Sequence, residues 1–380
     1  MSLLLILSMI LILLSGCNGD DESGSLDNNT FFESDINSEI SEPRTTLFVG
    51  YCDPVLALNP FAVSTEGNDV VEMTSVRLLT LDRNGMLVNK SIEGEISEFD
   101  GRTCKYKGIS NVEIKNVENE QTELVIKLRD EIKCSDGYNI SIDDVIFTMY
   151  VLSDPKYNGP QEFSKLPVVG LEEYKNGDAE NISGITRVDD NTLSVKLENF
   201  DEGYISKLNV FVAPICHYGD MSKFDYQNDS FGFEKGNIQS IISNNIPYGG
   251  GPYSFVSNED KTIKLKRNLW FYKGIPNVEF VELEYCEAAE MLSQVSNGNL
   301  DVVELPLDDD LYQEIISING AEDGSIFNTS IFTDESRGGL NRIALVVNAS
   351  AVDSLSYSCE YTKDYSWINE IHLMETNPGF

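Results

Sequence analysis

The chain is predicted to be a mixed α/β protein, and three observations predict it. Short apolar strands and helical stretches succeed one another along most of its length. No segment repeats at a fixed period. Hydrophobic residues make up 41% of the 380, enough to bury a sizeable core and too many for a wholly disordered chain.

The first stretch bears on location rather than fold. Leu3–Leu14 is an almost unbroken apolar run, the length of a signal-peptide core and too short to span a bilayer comfortably. Leu14-Ser15-Gly16-Cys17 resembles the lipobox of prokaryotic lipoproteins, in which cleavage before the cysteine lets its thiol carry diacylglycerol. That likeness implies a signal peptide over residues 1–16, lipidation at Cys17, and a protein held on the outer face of the cytoplasmic membrane. No Lys or Arg precedes the apolar run, a departure from the usual basic start. Residues 17–44 then read as an acidic tether: Asn18–Pro43 carries eight acids and no base, a composition that stays solvated.

The folded body opens with Thr46–Tyr51, a short apolar strand running into a loop whose Asp53-Pro54 and Asn59-Pro60 pairs exclude a regular element. Val70–Leu81 begins as helix and ends as a short strand, closed by a turn at Asp82-Arg83-Asn84-Gly85. Glu93–Ile109 has no clear period, and Asn111–Glu120 reads as charged hairpin material. The most legible stretch is Glu123–Leu152. Leu124, Ile126 and Leu128 alternate as one face of a half-buried strand, and Ser135-Asp136-Gly137 is a turn. Ser141 and Asp144 form a capping box, Val145, Met149 and Leu152 share one helical face, and Asp154-Pro155 stops the helix.

Further on, Lys175-Asn176-Gly177 reads as a turn, and Ile185–Val188 with Thr192–Leu197 as a hairpin around Asp189-Asp190-Asn191. Phe211–Tyr218 is apolar with a polar tip. Pro247–Tyr253 leads into a second hairpin, Tyr253–Val256 and Thr262–Lys266, and Asn268–Pro276 is an aromatic-rich exit. Phe280–Leu283 is a strand, Glu287–Val295 a short helix, and Leu300–Val303 a strand. Asp308–Ile316 suits helix and Ile343–Val347 strand, while Asn348–Phe380 shows no organisation.

Chemistry is sparse. The formal net charge of −36, from 63 acids and 27 bases, repels nucleic acid. Only His217 and His372 are present, so multi-histidine metal patterns are absent and no metal or cofactor is expected. Cys216 beside His217 is poor geometry for a nucleophile and its base, because neighbouring side chains diverge, and the pair reads as structural. Seven cysteines (Cys17, Cys52, Cys104, Cys134, Cys216, Cys286 and Cys359) include no CxxC; unpaired thiols and at least one disulfide both remain open. Gly249-Gly250-Gly251 lacks the Lys and Ser/Thr of a phosphate loop and reads instead as a place where backbone approaches closely. With no poised nucleophile, base or metal cluster, the chain is not expected to be an enzyme. Tyr51, Tyr248, Trp270, Phe271 and Tyr272 lie beside turns, where flat side chains line clefts and stack on ligands.

In order and spacing, several segments resemble the extracytoplasmic solute-binding proteins of the peptide, nickel and oligopeptide class (family 5) of ABC importers. They are TLFVGY with LNP, LLTLDRNGMLV, KLRDEIKCSDGYNISIDDVIFTM, GLEEYKNG with ISGITRVDDNTLSVKL, PYGGGPYSFV, IKLKRNLWFYKGIP and LSQVSNGNLDVVELP, spanning Thr46 to about Pro306. The resemblance implies a two-lobed periplasmic-binding-protein-like fold with an extra small domain. Residues 45–282 would form the first lobe with the small domain inserted, and residues 283–380 the start of a second lobe. Only 77 residues follow Val303, so that lobe is expected to be reduced or truncated.

By the same resemblance the protein is a monomeric, lipid-anchored component that closes on an oligopeptide or dipeptide and delivers it to a permease and its ATPase. Nickel or an oligosaccharide is the alternative ligand, and a surface interaction module that kept one lobe is the alternative role. The loop from Tyr51 to Asn59 and the Gly-Gly-Gly-Pro-Tyr segment would lie toward the cleft. The candidate ligand-facing residues are therefore Tyr51, Asp53, Asn59, Tyr248, Gly250 and Trp270, the last better suited to bracing the lobe than to touching ligand.

Overall fold

Strands form where the chain alternates apolar and polar residues, as at 122–128, or runs continuously apolar, as at 46–51. The computed structural model describes residues 45–51, 57–63, 69–82, 84–99, 102–117, 121–307, 309–319, 327–334 and 341–348. Cys17, Asp53, the signal peptide, the tether and the last 32 residues lie outside the described residues.

In chain order, β1 (Thr46–Tyr51) is followed by the six-residue helix α1 (Asp69–Thr74). The strands β2 (Glu95–Phe99), β3 (Arg102–Tyr106), β4 (Ser110–Asn116) and β5 (Thr122–Leu128) precede the central helix α2 (Ile142–Leu152). Then come α3 (Leu171–Asn176), β6 (Ile185–Arg187), β7 (Thr192–Leu197), α4 (Tyr204–Leu208) and α5 (Ile215–Tyr218). The short pair β8 (Phe224–Asp225) and β9 (Ser230–Phe231) leads through α6 (Gln239–Ile242) to the hairpin β10 (Tyr253–Glu259) and β11 (Thr262–Arg267). The series closes with β12 (Phe280–Tyr285), α7 (Ala288–Ser296), β13 (Val302–Leu307), α8 (Asp309–Asn319), β14 (Phe327–Asp334) and β15 (Asn341–Asn348).

Beside the two-stranded ribbons β2–β3 and β8–β9, two larger sheets organise these elements. The larger has seven strands in the order β10-β11-β12-β1-β13-β15-β14. Its centre is parallel: β1 pairs in register with β12 along its whole length and with β13 at Val49 and Gly50. Helix α7 carries the chain from β12 across β1 to β13, the crossover that parallel neighbours require. Strand β1 is covered on both faces. Leu47, with Val49 and Tyr51, packs with Val70 and Met73 of α1 and with Tyr253, Leu265, Val281 and Leu283. Phe48 points the other way, onto Met291, Leu292 and Val295 of α7 and Ile315 of α8. A strand buried on both sides reads as a continuous apolar run, as TLFVGY does.

The smaller sheet, β4-β5-β7-β6, is antiparallel throughout. In β5 the alternation is visible as burial: Leu124, Ile126 and Leu128 face inward with Thr122. Helix α2 shares the core of this sheet and is buried far beyond the single face expected: Asp144 to Leu152 are all buried, and Asp143 alone is partly open. Phe147 and Tyr150 meet Phe61 and Tyr174 edge-on, and Tyr150 stacks on Phe231 at 3.4 Å between ring centroids.

Some elements differ from the sequence reading. The tripeptide Lys175-Asn176-Gly177 is no free turn; it closes α3, and Gly177 takes φ +83°, where a side chain would be strained. The stretch before Leu81 holds only isolated bridges, Arg77 to Phe211 and Leu81 to Leu87, in place of a short strand. The β10–β11 turn, expected from sequence at Asn258-Glu259-Asp260, sits at Asp260 and Lys261, both at positive φ (50° and 68°), the two-residue geometry that matches strand twist. The domain boundary expected between residues 282 and 283 falls inside β12, and β13, β15 and β14 beyond it hydrogen-bond into the same sheet as β1. The crossover through α7 is the physical reason, because it returns the chain to the free edge of β1.

Candidate functional site

In open α/β sheets, small molecules bind beyond the carboxyl ends of parallel strands, where neighbouring connections diverge. Here that position is the end of β1 and β12, whose last paired residues are Tyr51 and Tyr285. Their rings meet edge-on at 6.0 Å. The Cys286 amide donates to the Tyr51 carbonyl at 3.0 Å, which closes the end of the pair. Tyr51 is half-buried, and burial, with the Asp69 carboxylate at the start of α1 nearby, pushes its phenol pKa up. The Lys261 ammonium lies 5.3 Å from the Tyr285 ring, and the Tyr285 hydroxyl donates to Glu287 at 3.2 Å. An aromatic pair flanked by a cation and carboxylates can stack on a flat or extended solute and hydrogen-bond its polar edge. Tyr285, Lys261 and Asp69 were not singled out from sequence. For Tyr285 the signal was present, since it continues the alternation of Val281 and Leu283 by one more step.

A second group gathers at the turn before α2. Tyr248 donates to the Asp136 carboxylate at 2.8 Å and stacks on the His217 ring at 4.7 Å. The Cys216 thiol lies 3.9 Å from the same hydroxyl. Neighbouring Cys216 and His217 therefore do not diverge, because the single turn of α5 lets both flank one phenol. His217 is held by Nε2 against the Ile246 carbonyl at 3.0 Å, and burial lowers its pKa. Desolvation and nearby acids push the Tyr248 phenol far above its ordinary range.

Asp144 braces this group from below. One carboxylate oxygen accepts from the Tyr138 hydroxyl (2.9 Å) and the Ile215 amide (2.8 Å), the other from the Ser141 amide (2.8 Å) and hydroxyl (3.0 Å). Burial raises its pKa against the pull of those hydrogen bonds.

The remaining candidates are structural neighbours of this brace. Gly250 is buried against Ile132 and Ile140, and a Cβ on Gly251 would sit 2.6 Å from the Thr74 carbonyl carbon. The glycine run thus admits the backbone of α1, in keeping with a loop of close approach. Trp270 is 55% exposed, with the Lys133 ammonium 4.9 Å from its ring. Asn268 ties its loop inward by donating to the carbonyls of Lys133 and Gly251. Asn59 is fully buried and its amide is fully engaged: it donates to the carbonyls of Ile241 and Asn244 and accepts from the Phe61 amide. Tyr248, Gly250 and Trp270 therefore converge on the turn at residues 132–138, Asn59 stands apart as a clasp, and Tyr51 occupies the sheet edge. Among the described residues, no group of three or more His, Cys, Asp or Glu side chains is placed to hold a metal.

The family model described as "Bacterial extracellular solute-binding proteins, family 5 Middle" matches residues 112–339. Among curated proteins, the chain is 24% identical over 195 residues to the oligopeptide-binding protein OppA of Lactococcus lactis subsp. lactis, covering 49% of this chain and 31% of that protein. It is 21% identical over 311 residues to the oligopeptide-binding protein AppA of Bacillus subtilis, covering 81% of this chain and 48% of that one. Among solved structures, lactococcal OppA with an endogenous peptide superposes with a TM-score of 0.55 at 17% identity, covering 76% of this chain and 49% of that one. NikZ of Campylobacter jejuni with Ni(L-His) gives 0.52 at 18% identity, covering 76% and 47%. These likenesses show a periplasmic-binding-protein-like α/β fold. The chain spans no more than about half the length of these relatives.

Proposed function

The chain belongs to the bacterial extracellular solute-binding proteins of family 5, and from that premise we propose that it captures an oligopeptide or dipeptide and presents it to a membrane permease and its partner ATPase. The role is binding and release, with no covalent step. The observation that carries the reading is the end of β1 between two parallel neighbours, where Tyr51 and Tyr285 meet edge-on. A backbone entering there finds aromatic faces for its side chains and polar groups at Lys261 and Glu287 for its amides and carbonyls. The names of the curated relatives favour peptide over other solutes.

In this reading Tyr51 and Asp53 face the solute, while Tyr248, Gly250 and Trp270 hold the neighbouring loops in register. Cys17 carries the lipid that keeps the protein on the outer face of the cytoplasmic membrane, and the acidic tether holds the body away from anionic headgroups. The test is calorimetric titration of the purified chain with random oligopeptide pools, a nickel–histidine mixture and oligosaccharides. Saturable heat with peptides alone supports the reading. Binding of nickel–histidine or oligosaccharide instead reassigns the ligand, and silence with all three sinks the reading.

A further inference from the structure

We infer that the solute taken at the end of β1 is a basic peptide, one carrying Lys or Arg side chains; this narrows the peptide reading above and rests on it. The sheet end that receives the solute combines aromatic rings with carboxylates that outnumber its cations. Glu287 accepts from the Tyr285 hydroxyl at 3.2 Å. Asp69 opens α1, whose next residue, Val70, packs in the same apolar cluster as Tyr51. Glu259 and Asp260 stand exposed where β10 turns into β11, and the Tyr285 amide pins that turn to the site by donating to the Lys261 carbonyl at 3.0 Å. Glu284 precedes Tyr285 on β12, in register with Gly50. Against these carboxylates stands the Lys261 ammonium, while Lys264, the next cation along β11, is held by Glu282 at 2.6 Å.

Two members of the group lack a cation where their chemistry favours one. Glu284 is partly buried, and among the described residues its carboxylate has no hydrogen-bond or ion-pair partner. Burial and the neighbouring Glu282 carboxylate raise its pKa, as happens to a negative charge left without compensation. A ligand ammonium or guanidinium beside it supplies that compensation. Tyr51 meets the Tyr285 ring edge-on at 6.0 Å and carries no cation over its own ring among the described residues, whereas Tyr285 already has Lys261 at 5.3 Å. The Tyr51 ring is thus left for a cation brought by the ligand.

Geometry sets the form of that ligand. Successive strand residues point to opposite faces, so the Glu284 carboxylate and the Tyr285 ring lie on opposite faces of the sheet. A single small cation reaches one of them. An extended peptide crossing the strand ends sends alternate side chains toward both. The net charge of −36 adds a long-range pull on such peptides, strongest at low salt.

The experiment titrates the full chain by calorimetry with random pentapeptide pools, one rich in Lys and Arg, one neutral and one rich in Asp and Glu, in about 0.01 M and about 0.15 M salt. The expected result is one-to-one binding in which the basic pool binds at least about tenfold tighter than the neutral pool at the lower salt, with the acidic pool weakest. The preference should narrow at the higher salt without vanishing. Glu284→Gln, and separately Glu287→Gln at the rim, each checked as folded by circular dichroism, should cut the basic-to-neutral affinity ratio about threefold or more. Equal binding of basic and neutral pools, or a preference for the acidic pool, overturns the inference and leaves the peptide reading standing. A basic preference that both variants leave intact, or that needs several peptides per chain, is diffuse surface attraction and overturns it as well. Silence with every pool removes the reading beneath it, and the inference falls too.

Discussion

Asp144 joins three segments through one buried carboxylate, and its removal should be felt in all of them. The side chain accepts four hydrogen bonds, from Tyr138, Ile215 and twice from Ser141, and is fully shielded from solvent. Each such bond is worth about 1 kcal/mol net, about 4 kcal/mol together. Relief of the carboxylate's own desolvation returns about 1 kcal/mol. Asp144→Ala is thus expected to lose about 3 kcal/mol of unfolding free energy. Asp144→Asn keeps one acceptor oxygen but turns an amide N–H toward two donors, for a loss of about 2 kcal/mol. Tyr138→Phe removes a single donor, for about 1 kcal/mol. The assay is urea unfolding followed by far-ultraviolet circular dichroism at neutral pH, with the slope checked for constancy across variants. A loss below about 1 kcal/mol for Asp144→Ala, or equal losses for Asp144→Ala and Tyr138→Phe, would refute the idea that this carboxylate is the junction.

Three further outcomes are expected. Gly251→Ala forces a methyl against the Thr74 backbone and should cost about 2–3 kcal/mol, whereas Gly137→Ala, strained at φ +93° but with open space around it, should cost about 1 kcal/mol; urea midpoints compare the two. Asn59→Asp sets a carboxylate against the carbonyls of Ile241 and Asn244 and should destabilise the protein by about 3 kcal/mol or more, above Asn59→Ala at about 2 kcal/mol, read from thermal unfolding. Burial lowers the His217 pKa, so as pH falls the unfolded chain takes the proton first and stability is lost below the ordinary imidazole value of about 6.5. His217→Phe keeps the stack on Tyr248 and removes the proton site, so the stability of wild type relative to this variant should decline from pH 7 to pH 5; a flat difference contradicts the assignment.

Local signals carried much of the fold. β1, β5, the α2 cap and the β6–β7 pairing were all legible, because alternation, Ser141 with Asp144, and the Asp189–Asn191 turn act over a few residues. Less legible was what depends on contacts distant in sequence. The near-complete burial of α2 needs the small sheet, Phe61 and Phe231 around it, and no helical period announces that enclosure. The placement of β13 beside β1 depends on a crossover, which a linear boundary at residue 282 cannot express. Among the candidate residues, Asn59 looked like a loop residue near a cleft, yet its amide is engaged by residues 241 and 244, far along the chain. The Tyr248 group was half visible: its aromatic and cysteine members stood out, but nothing local shows that positions 136, 216, 217 and 248 meet.

The most direct test of the solute-binding account is calorimetric titration of oligopeptides into the purified chain beside Tyr51→Ala. The account predicts saturable one-to-one binding with a dissociation constant of about 1–100 µM, weakened at least about tenfold by Tyr51→Ala, the loss of about 1.4 kcal/mol expected when an aromatic contact goes, at a temperature where circular dichroism shows the variant folded. Unaltered peptide affinity in Tyr51→Ala, or no heat with any peptide, would contradict it.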